Sequence, residues 1–308
     1  MSLLTNPSDL KSSSIFKGLI YGQPGIGKST LALSAPNPVC IDFDKGMKRV
    51  EPQFQTASLQ VESYSQVLEL LNSEELKGFD TIVIDTLGKL IDRICDYVAL
   101  QNPRLRQSDG QMVMKGWGNV KVAFHSLLKI LESKNKSVIF VAHEAEEKDN
   151  EVVIKRPDCA GAARKDVAKE LDFMGYMEMV GSKRSISFFP SEKFHAKNSL
   201  GLNTYIEVPD TKVGNVFISE KIVRLTDERL KEQASLREEY DTLKALIEGN
   251  IESLNTLDEL NDYYKEMGSK RVIWDSSFYE KMLLSEKVKE LGFEFDKQAR
   301  VFVDKVEV

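Results

Sequence analysis

An α/β architecture, a mainly parallel sheet covered by helices with a small helical region at the C-terminal end, follows from three features of this 308-residue sequence. The first is Gly22-Gln23-Pro24-Gly25-Ile26-Gly27-Lys28-Ser29-Thr30, which fits the phosphate-loop pattern G-x-x-x-x-G-K-[ST]. It follows an apolar run, Ile15–Tyr21, and precedes a short helical stretch, Ser29–Ala35, stopped by Pro36. The second is Phe79–Thr86, an apolar run ending in a carboxylate, which is the Walker B pattern. The third is the alternation itself: continuous apolar runs, as in strands buried on both faces, separated by segments of helical spacing. In such a sheet a ligand sits outside the carboxyl ends of the strands.

Taken in order, residues 1–14 are polar and Ser-rich and read as a flexible arm. Ile15–Tyr21 is the strand that feeds the phosphate loop. There the glycines let successive backbone N–H groups turn toward phosphate oxygens. Lys28 reaches the β- and γ-phosphates, the Ser29 hydroxyl ligates Mg2+, and the helix start adds its positive dipole end. Pro38–Asp44 is a second buried strand with acidic residues at its end, and Gln60–Tyr64 a third. Tyr64–Leu76 carries Val67, Leu68, Leu70 and Leu71 at helical spacing. Asp85, closing the Phe79–Thr86 strand, is placed to hold the water shell of Mg2+; the plainer alternative is a carboxylate capping the next helix.

Leu87–Leu100 reads as that helix. Gln101–Gly116 is polar, with Pro103, Arg104, Arg106 and Gly110, and reads as a long loop, a kind that is usually functional or disordered. Asn119–Ser133 is an amphipathic helix. Ser137–Ala142 is a buried strand that ends at His143-Glu144. Ala145–Lys165 is a second polar stretch, holding Lys148, Lys155, Arg156, Arg164 and Lys165 among acidic neighbours. Val167–Phe173 is helical; Tyr176–Val180, Ser185–Phe189 and Tyr205–Val208 are strand-like. Lys212–Thr226 reads as a linker or edge segment. Asp227–Glu248, Thr256–Met267 and Ser276–Leu291 are helices with Leu/Tyr stripes flanked by charge, and Thr256 with Glu259 opens a capping box. Three regions result: the arm 1–14, a core 15–225, and an acidic, mainly helical region 226–308.

Composition is that of an ordinary globular protein, 42% hydrophobic and 29% charged. No run of about 18 apolar residues exists to span a membrane, and the N-terminus lacks the charged and apolar stretches of a secretory signal. Cys40, Cys95 and Cys159 are widely spaced, with no C-x-x-C pair, which fits free thiols in a reducing cytoplasm and not zinc. The net charge of −6 is uneven. Residues 226–308 hold 20 Asp/Glu and 13 Lys/Arg, whereas the first 225 hold 28 acidic and 29 basic residues. Any nucleic-acid contact therefore belongs to the first part, and the acidic end suits a protein partner or solubility.

The order and spacing of five stretches, Gly22–Thr30, Cys40–Gly46, Phe79–Thr86, Val138–His143 and Ala196-Lys197-Asn198, resemble the core-only, RecA-like P-loop ATPases of bacterial viruses. Those are nucleotide-binding proteins associated with single-strand-annealing recombination, and the resemblance covers residues 12–210. It implies ATP at Gly22, Gln23, Pro24, Gly25, Ile26, Gly27, Lys28, Ser29 and Thr30, and Mg2+ at Ser29 and Asp85. It implies that Asp44, with Asp42 beside it, activates the attacking water, at a position where RecA itself has glutamate. His143 falls where a polar residue senses the γ-phosphate. Lys197 matches the first lysine of a Lys-Asn-Lys segment that touches ATP on the neighbouring subunit of a homo-oligomer; Ser199 stands in place of the second. Gln101–Trp117 and Glu144–Lys165 fall where such filaments carry their DNA-binding loops. Their Arg and Lys residues would meet the phosphates of single-stranded DNA, and Trp117 or Phe189 would stack on bases. A single-strand-binding or annealing protein would dock on the C-terminal region, in the cytoplasm of a bacterial host.

Three other readings stay open. An AAA-type remodeller or helicase loader would need an arginine finger, for which Arg156, Arg164 and Arg184 are the candidates. A nucleotide-gated interaction module would bind without much turnover. A small-molecule kinase would need an Arg-rich lid, and none is visible.

Overall fold

The computed structural model describes residues 15–149, 152–160, 168–203, 205–209, 217–267 and 272–305. The chain divides into two units, one ending at Asp227 and one starting at Glu228.

The first unit is built on one large sheet. Its strands are β1 (Lys17–Gly22), β2 (Pro38–Asp42), β3 (Ser58–Gln60), β4 (Thr81–Asp85), β5 (Ser137–Asp149), β6 (Val152–Pro157), β7 (Phe173–Val180), β8 (Lys183–Ser187), β9 (Lys197–Asn198) and β10 (Tyr205–Val208). The spatial order is β10-β8-β7-β1-β5-β4-β2-β3, with β6 paired to β5 and β9 to β7. From β7 through β3 every neighbouring pair is parallel, while β8, β10, β6 and β9 run antiparallel to their partners. The strand that feeds the phosphate loop, β1, is thus central, and β5 separates it from β4.

Apolar runs form these strands because both faces are covered. Alternate residues point to opposite faces, and the two faces have separate cores. Leu19, Ile41, Ile84 and Phe140 face one core. It is closed by α2 (Tyr64–Asn72), α3 (Leu87–Gln101) and α4 (Met114–Ser133), through Leu71, Ile91, Ile94 and Phe124. Ile20, Cys40, Val83 and Ile139 face the other, which is closed by α1 (Lys28–Ala32) and by the segment from Phe217 to Ile222. Each fully buried side chain of this kind contributes about 1.5–3 kcal/mol.

Several sequence expectations shift. The third strand lies at Ser58–Gln60, and Tyr64 opens α2 instead, because Gln66 accepts from the Ser63 N–H (3.1 Å) in a capping box. The loop expected over Gln101–Gly116 is a compact corner. A 3-10 turn at Pro103–Leu105 buries Leu105, Met112 is buried beside it, the Val113 N–H donates to the Leu105 carbonyl at 2.9 Å, and α4 starts at Met114. The second polar stretch is largely a β-hairpin: β5 runs on past His143 and pairs with β6 from Glu144–Pro157 to Asp149–Val152. Residues 168–170 are helical, but Phe173 begins β7. The expected linker is in part core. Ile218–Arg224 is a wide helical segment whose Ile218 N–H donates to Ser34 Oγ at 2.9 Å, with Phe217, Ile218 and Ile222 buried. The arm 1–14 and residues 212–216 lie outside the described residues.

The second unit contains α5 (Leu225–Glu252), α6 (Leu257–Met267) and α7 (Ser276–Glu290), followed by an antiparallel hairpin of β11 (Phe293–Asp296) and β12 (Val301–Asp304) that the helical reading missed. Its core is Ile247, Ile251, Leu254, Leu260, Leu284, Val288 and Phe302. The capping box opens α6 as expected: Glu259 accepts from the Thr256 N–H at 3.0 Å and returns its own N–H to Thr256 Oγ1 at 3.4 Å. Among the described residues no helix is long and apolar enough to cross a membrane.

Candidate nucleotide site

The candidate site lies where β1, β4, β5 and β2 end. The register sets its layout. Gly22 is level with His143 on β5, Val141 with Asp85 on β4, and Asp85 with Asp42 on β2. His143 therefore stands between the phosphate loop and the Walker B carboxylate.

The loop Gly22–Thr30 leaves β1 under tight constraint. A Cβ on Gly22 would fall 2.2 Å from the Met177 carbonyl oxygen, so no side chain fits there. Gly25 and Gly27 adopt φ of 78° and 95°, left-handed values that other residues rarely take. Gln23, Pro24 and Gly25 are exposed and Ile26 buries its side chain, which anchors the loop's far side. Gly27 caps α1, and Thr30 lies in α1's first turn, half-buried.

Lys28 is 5% exposed and donates to the Gln23 carbonyl at 2.6 Å, so its ammonium is folded back across the loop. Burial pulls its pKa below the ordinary lysine range, against the opposing pull of Asp85 and Glu144. The Ser29 hydroxyl donates to Asp85 Oδ2 at 2.5 Å. Burial raises the Asp85 pKa; the Ser29 bond offsets part of that, and Asp44 and Asp42 add to it. The Asp85–Thr86 peptide is cis. Thr86, at the N-cap of α3, accepts no capping bond on its side chain, and Asp85 points to Ser29 instead of serving that helix.

The two aspartates after β2 separate clearly. Asp42 is 1% exposed and accepts from the Gly46 N–H, the Met47 N–H and Gln60 Nε2, each at 2.9 Å. It holds the turn after β2 closed, and its burial and three bonds commit it to that turn and not to a water. Asp44 is half-buried, with Oδ2 3.9 Å from His143 Nε2. The buried Nδ1 of His143 has no hydrogen-bond partner among the described residues.

Other predicted residues are engaged elsewhere. Lys197 turns into its own chain, its ammonium donating to the carbonyls of Ala168 and Lys169 at 3.0 Å each, which departs from the expected reach to a neighbouring subunit. Lys155 donates to Glu144 (2.9 Å) and Glu146 (2.6 Å), Arg156 lies 2.9 Å from Glu147, and Arg106 donates to Asp96 at 2.8 Å. Trp117 packs on the core, whereas Phe189 is 44% exposed. Arg164 and Lys165 lie outside the described residues.

Two residues gain importance from the fold. Arg184 on β8, with β7 lying between β8 and β1, brings its guanidinium to 3.9 Å from where a Cβ on Gly27 would stand. Glu144 is almost buried, accepts from Tyr176 Oη at 3.0 Å, and acts electrostatically on Lys28. In the sequence Arg184 is one of three arginine-finger candidates and Glu144 carries no role of its own; which of them meets the loop depends on which strands become neighbours.

The donor set suits Mg2+. Ser29 Oγ and Asp85 Oδ2 are two hard oxygens on one side of the loop, and phosphates and water supply the remaining ligands of such an ion. Among the described residues no cluster of three or more His, Cys, Asp or Glu side chains could hold a metal by itself.

A family model described as an AAA domain matches residues 15–200. No curated protein matches the chain.

Proposed function

We infer that this chain, which belongs to the AAA domain family of P-loop ATPases, binds ATP at Gly22–Thr30 and hydrolyses it in response to single-stranded DNA. The observation that carries the ATPase reading is the Lys28–Ser29–Asp85 arrangement: a buried ammonium on the loop and a hydroxyl bonded to the Walker B carboxylate. In the reaction the oxygen of a water attacks the γ-phosphorus, the bond to the β–γ bridging oxygen breaks, and ADP leaves with the electron pair. Asp44 takes the proton from the water. Lys28 exchanges the Gln23 carbonyl for phosphate oxygens and, with Arg184, meets the charge on them. His143 donates to the γ-phosphate or to the water. Bound Mg2+, held by Ser29 and Asp85, supplies neutralisation of phosphate charge.

Support for single-stranded DNA comes from continuity. β5 carries His143 at the site and runs on into the β5–β6 hairpin, so a change at the γ-phosphate is one strand away from that hairpin. Arg104 and Lys148 are exposed, as is Phe189, an aromatic face for a base. A role in phage recombination, as a homo-oligomer, rests on the resemblance in motif order. One observation favours a second reading, a nucleotide-gated module that acts on protein: Lys155 and Arg156 of the hairpin are already matched to Glu144, Glu146 and Glu147.

ATP turnover measured with and without a single-stranded oligonucleotide tests both. Stimulation by the oligonucleotide, abolished in Lys28→Ala, is the expected result. Asp44→Asn keeps ATP binding and loses turnover by about 100-fold. Turnover indifferent to the oligonucleotide favours the second reading, and full activity in Lys28→Ala removes the ATPase site.

A further inference from the structure

We propose that the C-terminal unit carries a docking groove for an acidic peptide with apolar anchor residues, contributed by a partner protein. The proposal uses no part of the ATPase reading.

The groove encloses about 480 Å³ beside α7 and the β11–β12 hairpin. Its floor is apolar. Leu284 and Val288, one turn apart on α7, are buried there with Phe302, while Tyr264 and Phe293 are only partly covered. Phe295 is 38% exposed at its wall. The hairpin closes the small core but leaves an aromatic-lined opening beside it.

The rim has the opposite sign to its surroundings. Lys281, Ser285 and Lys289 follow one another at four-residue spacing, a polar ridge along α7 next to the apolar floor. Lys305, just after β12, is the third lysine. The segment from Thr226 on holds 20 acidic and 13 basic residues, yet this opening has three lysines and one carboxylate, Glu294. All three lysines are exposed, and among the described residues none is ion-paired. An acidic segment is the complement. Its apolar side chains would bury against Tyr264, Phe293 and Phe295 and supply most of the affinity. The lysines would select its sign and quicken its arrival. Such a helix-edge groove with aromatic walls suits a short anchored peptide better than a flat protein face.

The test is fluorescence anisotropy of the full-length protein with three labelled pentapeptides: Glu-Glu-Glu-Leu-Phe, Lys-Lys-Lys-Leu-Phe and Glu-Glu-Glu-Ser-Ser. The first should bind, more weakly as salt rises, and the other two at least ten-fold more weakly. The double variant Lys281→Glu, Lys289→Glu changes only exposed side chains and should lose at least ten-fold in affinity for the first peptide, with unchanged circular dichroism and unchanged ATP binding. Phe295→Ser provides a second variant aimed at the anchor pocket, with the same expectation. The proposal is overturned if the three peptides bind alike, if none binds, or if the double variant binds as the parent does. It is also overturned if size-exclusion shows self-association that the double variant abolishes and the first peptide does not compete, since the groove then holds a second copy of this chain.

Discussion

Lys28 shows how a binding residue can be a burden on the empty fold. Its ammonium is buried against the Gln23 carbonyl, and its pKa is lowered mainly by burial. The sign follows directly. Between the depressed folded pKa and the ordinary value the unfolded chain binds the extra proton, so this group's contribution to stability rises with pH through that window and is a cost below it. Lys28→Met removes the charge and keeps the stem. Thermal unfolding without nucleotide should then show a variant at least as stable as the parent. With ATP at about 100 times its Kd the parent should gain about 2.7 kcal/mol and the variant nothing. A variant that is markedly destabilised without nucleotide would mean that Lys28 is structural. Asp42 is the opposite kind of residue. Asp42→Asn keeps one acceptor oxygen but sets an NH2 donor against a backbone N–H and removes the buried charge, and should cost about 1.5–3 kcal/mol in denaturant unfolding.

At the level of elements, the β5–β6 hairpin prolongs the strand that carries His143. It is tied to the sheet by more than its own ladder. Tyr21 Oη donates to the carbonyls of His195 (2.5 Å) and Lys155 (3.2 Å), and Tyr176 Oη donates to Glu144. Lys155 closes the set by bridging Glu144 and Glu146. The lysine is a quarter exposed, so solvent screens part of that interaction. Lys155→Ala should cost about 1 kcal/mol in stability, and it leaves Glu144 with the Tyr176 hydroxyl but without its ammonium partner. It also frees negative charge on the hairpin. If the hairpin meets single-stranded DNA, binding should fall in this variant and keep a salt dependence of about 0.7 in log–log slope per phosphate neutralised. Unchanged oligonucleotide affinity would move the DNA contact away from the hairpin.

On the scale of the molecule, the boundary of the first unit is set by packing. Phe217, Ile218 and Ile222 complete the core under α1, and Ser34 is bonded by both Ile218 and Ser219. A chain ending after Asp227 retains them, whereas one ending after residue 216 lacks three buried side chains worth about 1.5–3 kcal/mol each. The longer fragment should unfold cooperatively and bind ATP; the shorter should show a transition lowered by several kcal/mol or none. Equal stability of the two would place the boundary before Phe217.

Features encoded locally were legible in the chain alone. Glycine spacing in Gly22–Thr30, the apolar run into Asp85, and the three- and four-residue periodicity of α3, α4 and α7 are short-range patterns, and the α/β architecture follows from their alternation. The polar stretch after His143 carried no such pattern. Its alternating charges read as a solvated loop, because only pairing with Val152–Pro157 turns Glu144–Asp149 into a strand. The same reason separates Asp42 from Asp44. Two residues apart, they are equivalent in one dimension, and the turn at Gly46 and Met47 together with Gln60 on β3 commits the first and leaves the second facing His143. Arg184 beside Gly27 and the lysine-rimmed groove beside α7 arise from contacts across many residues of chain. Tertiary structure decided these, because strand order and register, and not local spacing, choose which distant side chains become neighbours.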